Sequence, residues 1–301
     1  MGARQIVILG PTASGKSDVA MALASARDDV EILAVDAMQV YRGMDIGTAK
    51  PTTADRVAVP HHGIDLVDPD EQFTVSAFQT TARAALDAIA AAGHIAVLVS
   101  GTGLYLTAVV DDLNLPGEWP DVRAELEAET DVALLHARLR SLDPTAAARI
   151  EPGNQRRLVR ALEVCIGSGT PFSSFGPGTA AHPPTDTPQI GLRWPRDLLT
   201  ARIGVRVRQM VERGLVEEVA GLLRRPGGLS RTARQALGYK ELIDVVESGA
   251  PLENAVADIV LRTRQFAVRQ ERWFRRDPRI RWVDIVADPV AEVLPVVQEY
   301  L

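Results

Sequence analysis

The residues best suited to chemistry form a glycine-rich loop near the start of the chain. Their sequence is Gly10-Pro11-Thr12-Ala13-Ser14-Gly15-Lys16-Ser17, which matches the phosphate-loop pattern G-x-x-x-x-G-K-[ST] at every fixed position. Such a loop aims backbone N–H groups and the positive end of a helix at an anion. Lys16 adds a charge, and the Ser17 hydroxyl can hold Mg²⁺. The pattern predicts a site for a diphosphate or triphosphate and does not distinguish between them.

Two further polar positions follow apolar runs. Asp36 directly follows the apolar run at residues 31–35, and Ser100-Gly101-Thr102-Gly103 follows the run at residues 95–99. Because ligands bind at the carboxyl ends of parallel strands, we expect Asp36 and Thr102 on the same rim as the phosphate loop. Asp36 can help to hold a metal ion, accept a proton from an acceptor substrate, or only cap the following turn. Thr102 can offer its hydroxyl and N–H groups to an oxygen anion, or belong to an ordinary turn.

The adjacent pair His61 and His62 is a weak candidate for a metal site. Adjacent residues seldom converge on one ion, and no third ligand follows at a recognised spacing. We therefore expect hydrogen-bonded structural histidines.

Arginines are concentrated in two segments that could contact a polyanion. Residues 156–160 carry three of them on a predicted helix, where the alternative is a solvated face. Between residues 263 and 281, arginines alternate with aromatic side chains. Phe266, Gln270, Trp273 and Phe274 share one helical face and are predicted to pack in the core, so the opposite face could follow a phosphate backbone.

The order of apolar runs and helical patterns predicts an α/β fold with a parallel sheet. Predicted strands cover residues 6–9, 31–35, 95–99 and 189–194, and the clearest predicted helices cover 18–24 and 75–92. A helical pattern from 121 to about 167, followed by a Gly/Pro/Ser/Thr-rich stretch, predicts a helical insertion at 114–188. Residues 1–113 and 189–301 then form the core, which is mainly helical after residue 196.

Composition limits the class of protein. The chain has 301 residues, a net charge of −6 and one cysteine, so a disulfide framework and a cysteine-built zinc site are excluded. No apolar run approaches the length of a membrane span, and the predicted first strand leaves no room for a signal peptide. We expect a soluble cytoplasmic protein without membrane association. The net charge alone argues against a nucleic-acid partner.

Taken together, the motifs resemble the tRNA dimethylallyltransferase (tRNA isopentenyltransferase) family. The resemblance rests on the phosphate loop and on stretches that follow in the family's order over nearly the whole chain. These stretches are residues 36–51 (DAMQVYRGMDIGTAKP), 60–62 with 64–65, 101–105 (GTGLY), 157–164, 235–241 (QALGYKE), 263–267 (TRQFA) and 269–270. The run at 36–51 is close to diagnostic.

The resemblance implies transfer of a dimethylallyl group from its diphosphate to N6 of adenosine 37 in tRNAs that read codons starting with U. In this family Asp36 corresponds to the base on N6, and Thr102 contacts the oxygen between C1 and the leaving diphosphate. Lys16, a Mg²⁺ ion bound by Ser17, and an arginine, for which we choose Arg206, would stabilise the diphosphate. The loop residues that would bind the donor are Gly10, Thr12, Ala13, Ser14, Gly15, Lys16 and Ser17. The residues that would contact tRNA are Asp36, Ala37, Met38, Gln39, Thr102, Arg123, Arg156, Arg157, Arg160, Gln235, Gly238, Tyr239 and Lys240.

The sequence departs from the family in two places. Ser100 stands where the family usually has glycine, and the chain lacks the Cys/His zinc finger of eukaryotic relatives. Three other functions stay open: a cytokinin-type enzyme that prenylates free adenine nucleotide, a small-molecule kinase that uses the loop on ATP, and an RNA-binding module with a vestigial loop. The insertion and the late arginines favour tRNA, and a monomer is expected.

Overall fold

The computed structural model describes residues 4–301, except the side chain of Ala180. The strands are β1 (Arg4–Leu9), β2 (Val30–Val35), β3 (His61–His62), β4 (Ile95–Ser100), β5 (Gln189–Arg193) and β6 (Ile280–Asp284). The helices are α1 (Lys16–Ser25), α2 (Thr53–Ala58), α3 (Val75–Ala91), α4 (Gly103–Val110), α5 (Pro120–Glu127), α6 (Val132–Leu142), α7 (Pro144–Arg149), α8 (Gln155–Ser168), α9 (Arg196–Glu212), α10 (Leu215–Leu223), α11 (Tyr239–Ser248), α12 (Leu252–Phe274) and α13 (Pro289–Gln298).

The six strands form one parallel sheet in the order β3-β2-β4-β1-β5-β6. The central strands are buried apolar runs, as expected when helices cover both faces of a parallel sheet. Leu9 and Val35 both pair with Ser100, so β1, β2 and β4 end at the same level. This register confirms the predicted rim: the phosphate loop, Asp36 and the Thr102 turn all begin within one residue of it.

The predicted α/β class and the four predicted strands are confirmed. The sequence pattern does not predict the two edge strands. β3 has two residues and takes its place only by pairing with Ile32 and Leu33. β6 lies in the arginine-rich region, where half-buried and exposed side chains outnumber buried ones, and it forms by pairing with β5. Both segments become strands because they pair with a neighbouring strand, and the local sequence pattern contains no information about that pairing.

The chain divides into two compact units, residues 1–110 with 182–301 and residues 111–181. The sequence pattern predicts the insertion at 114–188, so the observed unit begins and ends slightly earlier. Residues 182 and 183 belong with the sheet-containing unit because the His182 ring lies 3.5 Å from Asp277 and the Arg279 guanidinium donates to the Pro183 carbonyl.

The inserted unit consists of α5 to α8 around its own apolar core. Three of its helix starts are capped by side chains: Asp131 caps α6, Asp143 caps α7 and Asn154 caps α8. Each cap satisfies N–H groups that have no partner inside the helix. This accounts for short helices that follow one another closely.

A fully buried carboxylate, Glu163, ties α8 to the start of α5. It accepts the Trp119 N–H at 2.8 Å, two N–H groups of Arg123 at 2.8 and 2.9 Å, and lies 3.0 Å from the Arg160 guanidinium. Arg160 also donates to the carbonyls of Pro116 and Gly117. Arg123 and Arg160, predicted to contact tRNA, therefore already have partners inside their own unit.

Replacing Glu163 by glutamine should destabilise the inserted unit by about 2–3 kcal/mol, because two arginines lose the charge that neutralises them at a buried site. Chemical denaturation of Glu163→Gln beside Glu125→Gln, an exposed glutamate on α5, measures the difference. Equal stability of the two variants would show that the ion cluster contributes nothing.

This stabilisation depends on pH in a defined direction. Although burial raises the pKa of Glu163, the Trp119 N–H and the Arg160 and Arg123 guanidinium groups outweigh it and hold the pKa below the usual 4.5. The charged form is therefore favoured in the folded state. The advantage of wild type over Glu163→Gln should be complete above about pH 4.5 and disappear as the pH falls through the lower folded-state pKa.

Candidate active site

The phosphate loop joins β1 to α1 in a strained backbone path. Gly10, Ala13 and Gly15 all have positive φ, of 151°, 63° and 93°. Glycine adopts such angles readily, whereas an alanine there needs support from its surroundings. The Trp194 indole N–H donates to the Ser14 carbonyl at 2.9 Å, and Arg202 donates to the Ala13 carbonyl at 2.9 Å. With its guanidinium 4.4 Å from the Trp194 ring centroid, Arg202 completes this support.

Two cations, Lys16 and Arg206, lie close together beside the loop. Burial and then the charge of Arg206 lower the pKa of Lys16 to about 7, although Asp36 and Asp18 oppose the shift. Burial also lowers the pKa of Arg206, while Asp36 and Asp18 again act in the opposite direction. Lys16 donates to the Pro11 carbonyl at 2.7 Å. Within residues 4–301, no hydrogen bond or ion pair engages the Arg206 guanidinium. In the described chain neither cation forms an ion pair with a carboxylate, and two such neighbouring cations suit a phosphate group.

Asp36 is oriented by the turn that follows it. Its Oδ1 accepts the Met38 N–H at 2.8 Å and the Gln39 N–H at 3.2 Å. Among the described residues, none donates to Oδ2. Asp36 therefore caps its turn through Oδ1, and its Oδ2 stays without a hydrogen-bond donor among the described residues. Capping the turn and accepting a proton are compatible functions here.

Thr102 is held through Ser100, whose side chain is fully buried. Ser100 Oγ donates to the Val35 carbonyl at 3.2 Å and accepts the Thr102 N–H at 3.2 Å. The residue just before Asp36 is thereby linked to Thr102. The Ser100 side chain therefore helps to fix the turn that carries Thr102.

The segment 36–51, which carries most of the family resemblance, is braced by two charged side chains. Lys50 donates to Asp45, to Asp65 and to the Tyr41 carbonyl. Glu218 accepts backbone N–H groups from residues 45, 46 and 47 at 2.8 to 3.3 Å, and the Tyr239 hydroxyl at 2.5 Å. Sequence reasoning identifies neither role, because each depends on partners that local pattern does not reveal.

Gln270 joins the phosphate loop to the Thr102 turn. Its Oε1 accepts the Thr12 N–H at 2.8 Å and its Nε2 donates to the Gly101 carbonyl at 2.7 Å. The sequence predicts that Gln270 lies on the buried face of its helix, which the structure confirms, and it assigns no function to the carboxamide. Because the Thr12 N–H is engaged, the predicted contact of Thr12 with a donor is left to its hydroxyl.

The residues predicted to contact tRNA differ in accessibility within each unit. In the sheet-containing unit, Gln235 and Lys240 are exposed, whereas Gly238 and the Tyr239 side chain are buried. Ala37, Met38 and Gln39 are half-buried beside Asp36, and Gln39 donates to the Thr48 carbonyl at 3.0 Å. In the inserted unit, Arg156 and Arg157 are exposed on α8. The Tyr239 side chain is not available to a partner at the surface, and the other contacts remain predictions.

The structural interpretation of the histidine pair is confirmed. His61 Nδ1 is hydrogen-bonded to the Val59 carbonyl at 2.8 Å, and His62 Nε2 to Glu31 at 2.6 Å.

Over the described range, no helix is long and apolar enough to cross a membrane.

The chain has a P-loop-type α/β fold with an inserted helical unit. Its parallel sheet carries the phosphate loop after the first strand, and the candidate catalytic residues Asp36 and Thr102 lie just after β2 and β4. Two family models match the chain: "IPP transferase" over residues 39–277 and "Isopentenyl transferase" over residues 3–59. The chain belongs to the IPP transferase family.

Individual relatives match along nearly the full length. A tRNA dimethylallyltransferase of Kineococcus radiotolerans is 47% identical, with 97% of this chain and 96% of the relative covered. The structure of the tRNA isopentenylpyrophosphate transferase of Bacillus halodurans matches with a TM-score of 0.71 at 38% identity, covering 99% and 96% of the two chains. A eukaryotic dimethylallyltransferase acting on tRNA matches with a TM-score of 0.78 at 27% identity over 94% of this chain and 74% of that chain.

Replacing Arg206 by alanine should weaken binding of inorganic diphosphate by about 10- to 100-fold, because the anion loses a charge-assisted hydrogen bond of about 1.5–3 kcal/mol. Isothermal titration in the presence of Mg²⁺ measures the affinity. Arg208→Ala, an exposed arginine of the same helix, changes the net charge equally and should bind like wild type. Equal weakening by both substitutions would reduce the effect to general electrostatics.

Proposed function

We propose that this chain transfers a dimethylallyl group from dimethylallyl diphosphate to N6 of adenosine 37 in tRNAs that read codons starting with U. One observation carries the proposal: on one rim lie a carboxylate whose second oxygen accepts no hydrogen bond from the described residues and two cations that form no ion pair within residues 4–301. A base for an amine and a site for a leaving diphosphate are what such a displacement requires. The names of the relatives supply the substrate classes.

The proposed reaction is a single in-line displacement. The exocyclic amine of adenine donates an N–H hydrogen to Asp36 Oδ2, and its nitrogen attacks C1 of the dimethylallyl group in line with the departing oxygen. As the N–C1 bond forms, the C1–O bond breaks, the amine proton passes to Asp36, and the electron pair leaves with the diphosphate. Thr102 would donate to the bridging oxygen, while Lys16 and Arg206 stabilise the added charge. The adenine must leave the base stack to reach Asp36.

The loop residues fit a Mg²⁺ ion that takes most of its ligands from the diphosphate and water. The Ser17 side chain is exposed at the start of α1, and within the described chain its hydroxyl makes no hydrogen bond. Magnesium commonly binds in this way, through few protein oxygens and the phosphates of its substrate. Ser17 would hold the ion, which would neutralise part of the diphosphate charge. Action as a monomer in the cytoplasm stays a prediction.

Two observations separate this proposal from the other enzymes. A loop that hydrolyses ATP usually works with an acidic residue at the end of a neighbouring strand, whereas β4 here ends at Ser100 and continues into Gly101-Thr102-Gly103 without an acidic residue. A kinase is therefore disfavoured. A free adenine nucleotide needs no separate helical unit with exposed arginines, which disfavours a cytokinin-type enzyme.

A single assay tests the proposal against both. Purified protein with Mg²⁺ and radiolabelled dimethylallyl diphosphate receives either unmodified tRNA or AMP, and ATP consumption is followed in parallel. Label is expected in tRNA at adenosine 37 and not in AMP. Label in AMP alone would identify a nucleotide prenyltransferase, and ATP consumption without transfer would identify a kinase.

Replacing Asp36 by asparagine should lower turnover by about 10²- to 10⁴-fold, because asparagine retains an oxygen for the Met38 N–H and cannot accept the proton. Affinity for tRNA, measured by filter binding, should change little. Asp28→Asn, an exposed aspartate, serves as the control. Wild-type turnover in Asp36→Asn would remove Asp36 from the chemistry.

Removing the two exposed arginines of α8, in Arg156→Ala/Arg157→Ala, should weaken tRNA binding and make its salt dependence shallower by about two in slope, since two phosphates are no longer neutralised. The control Arg138→Ala/Arg149→Ala removes two exposed arginines from α6 and α7 of the same unit. An unchanged slope, or the same change in both pairs, would leave residues 156 and 157 as an ordinary solvated face.

A further inference from the structure

We infer that Gln270 is a positioning residue that sets Thr102 against the phosphate loop. The inference rests on the proposed transfer reaction and adds a residue to its machinery. Gln270 is buried in α12, and its carboxamide forms hydrogen bonds with two loops that would both contact the donor. One loop would bind the diphosphate, and the other would present Thr102 to the bridging oxygen.

The chemistry of both partners fixes the orientation of the carboxamide. The Thr12 N–H can only donate and the Gly101 carbonyl can only accept, so Oε1 must face the first and Nε2 the second. At 2.8 and 2.7 Å, both hydrogen bonds are of ordinary length for well-made contacts. No other natural side chain of this length supplies one donor and one acceptor in this geometry, because glutamate only accepts when it is ionised.

Helix α12 approaches the Thr102 turn closely enough for this contact to matter. A Cβ atom at Gly101 would lie 2.8 Å from Gln270 Nε2, and one at Gly103 would overlap the Trp273 ring. The glycines on either side of Thr102 thus let α12 pack directly on the turn. A backbone hydrogen bond also connects the two loops, from the Gly10 N–H to the Ser100 carbonyl. At 3.3 Å it is longer than the two hydrogen bonds of Gln270, and it lies nearer the sheet. Gln270 makes the connection next to Thr102 itself.

Misalignment of the donor should reduce the chemical step more than substrate binding. In the transfer assay with tRNA, Gln270→Met should lower kcat by about 10- to 100-fold, the cost of a displacement of about 1 Å at a reacting centre. The KM for tRNA should change much less than kcat, since Gln270 itself would make no tRNA contact and Thr102 is one of many residues expected to do so. Gln79→Met, which also removes a buried amide donor to a backbone carbonyl, is the control and should keep wild-type kcat.

A double-substitution cycle separates positioning from simple destabilisation. If Gln270 acts through Thr102, the double variant Gln270→Met/Thr102→Ala should be about as slow as Thr102→Ala alone. The inference would be overturned if the reduction of kcat in the double variant equalled the product of the reductions in the two single variants. Wild-type kcat in Gln270→Met would overturn it too. Should Gln270→Met fail to fold, Gln270→Asn retains a buried amide one methylene too short to span both contacts, and the same outcomes apply. Absence of transfer by the wild-type protein would instead refute the proposed function.

Discussion

The register of three parallel strands is the constraint on which the site depends. Leu9, Ser100 and Val35 lie level with one another, so three loops of different sequence leave the sheet at one height. The first continues into the phosphate loop, the second into the Thr102 turn and the third into Asp36. A slip of one residue in any of these strands would exchange the side chains that pack against the two layers of helices, which would disrupt close packing on both faces and displace the loop that follows. The burial of the sheet on both faces therefore also fixes the relative positions of the candidate catalytic groups.

The charges at this rim are arranged to receive an anion. Burial depresses the pKa of both Lys16 and Arg206, and the charge of Arg206 depresses that of Lys16 further. Asp36 opposes both shifts, although no hydrogen bond of the described residues joins it to either cation. An anion placed between the cations would relieve their repulsion and replace the solvation that burial removes. The charge arrangement is thus more favourable with a phosphate group than without one, which matches the class of donor that the family name indicates.

The sequence predicts the parts of this structure that depend on local pattern. The loop at 10–17, the strands around it, the helical insertion and the common rim of Asp36 and Thr102 all follow from runs of adjacent residues. The supports of the site do not follow, because each is a contact between distant parts of the chain. Gln270 is recognisable as a buried position, but its partners Thr12 and Gly101 lie 258 and 169 residues away. The function of Glu218 depends in the same way on backbone N–H groups of residues 45–47.

In each of these long-range contacts, a residue from late in the chain supports a loop from early in the chain. Trp194, Arg202, Glu218 and Gln270, all from the second half of the chain, contact loops that belong to its first 102 residues. Three of the four catalytic candidates, Lys16, Asp36 and Thr102, therefore come from the first part of the chain. Several of the groups that support their loops come from the second half, as does Arg206. The geometry of the site therefore depends on the completed fold of the sheet-containing unit, including α9, α10 and α12, rather than on the phosphate loop alone.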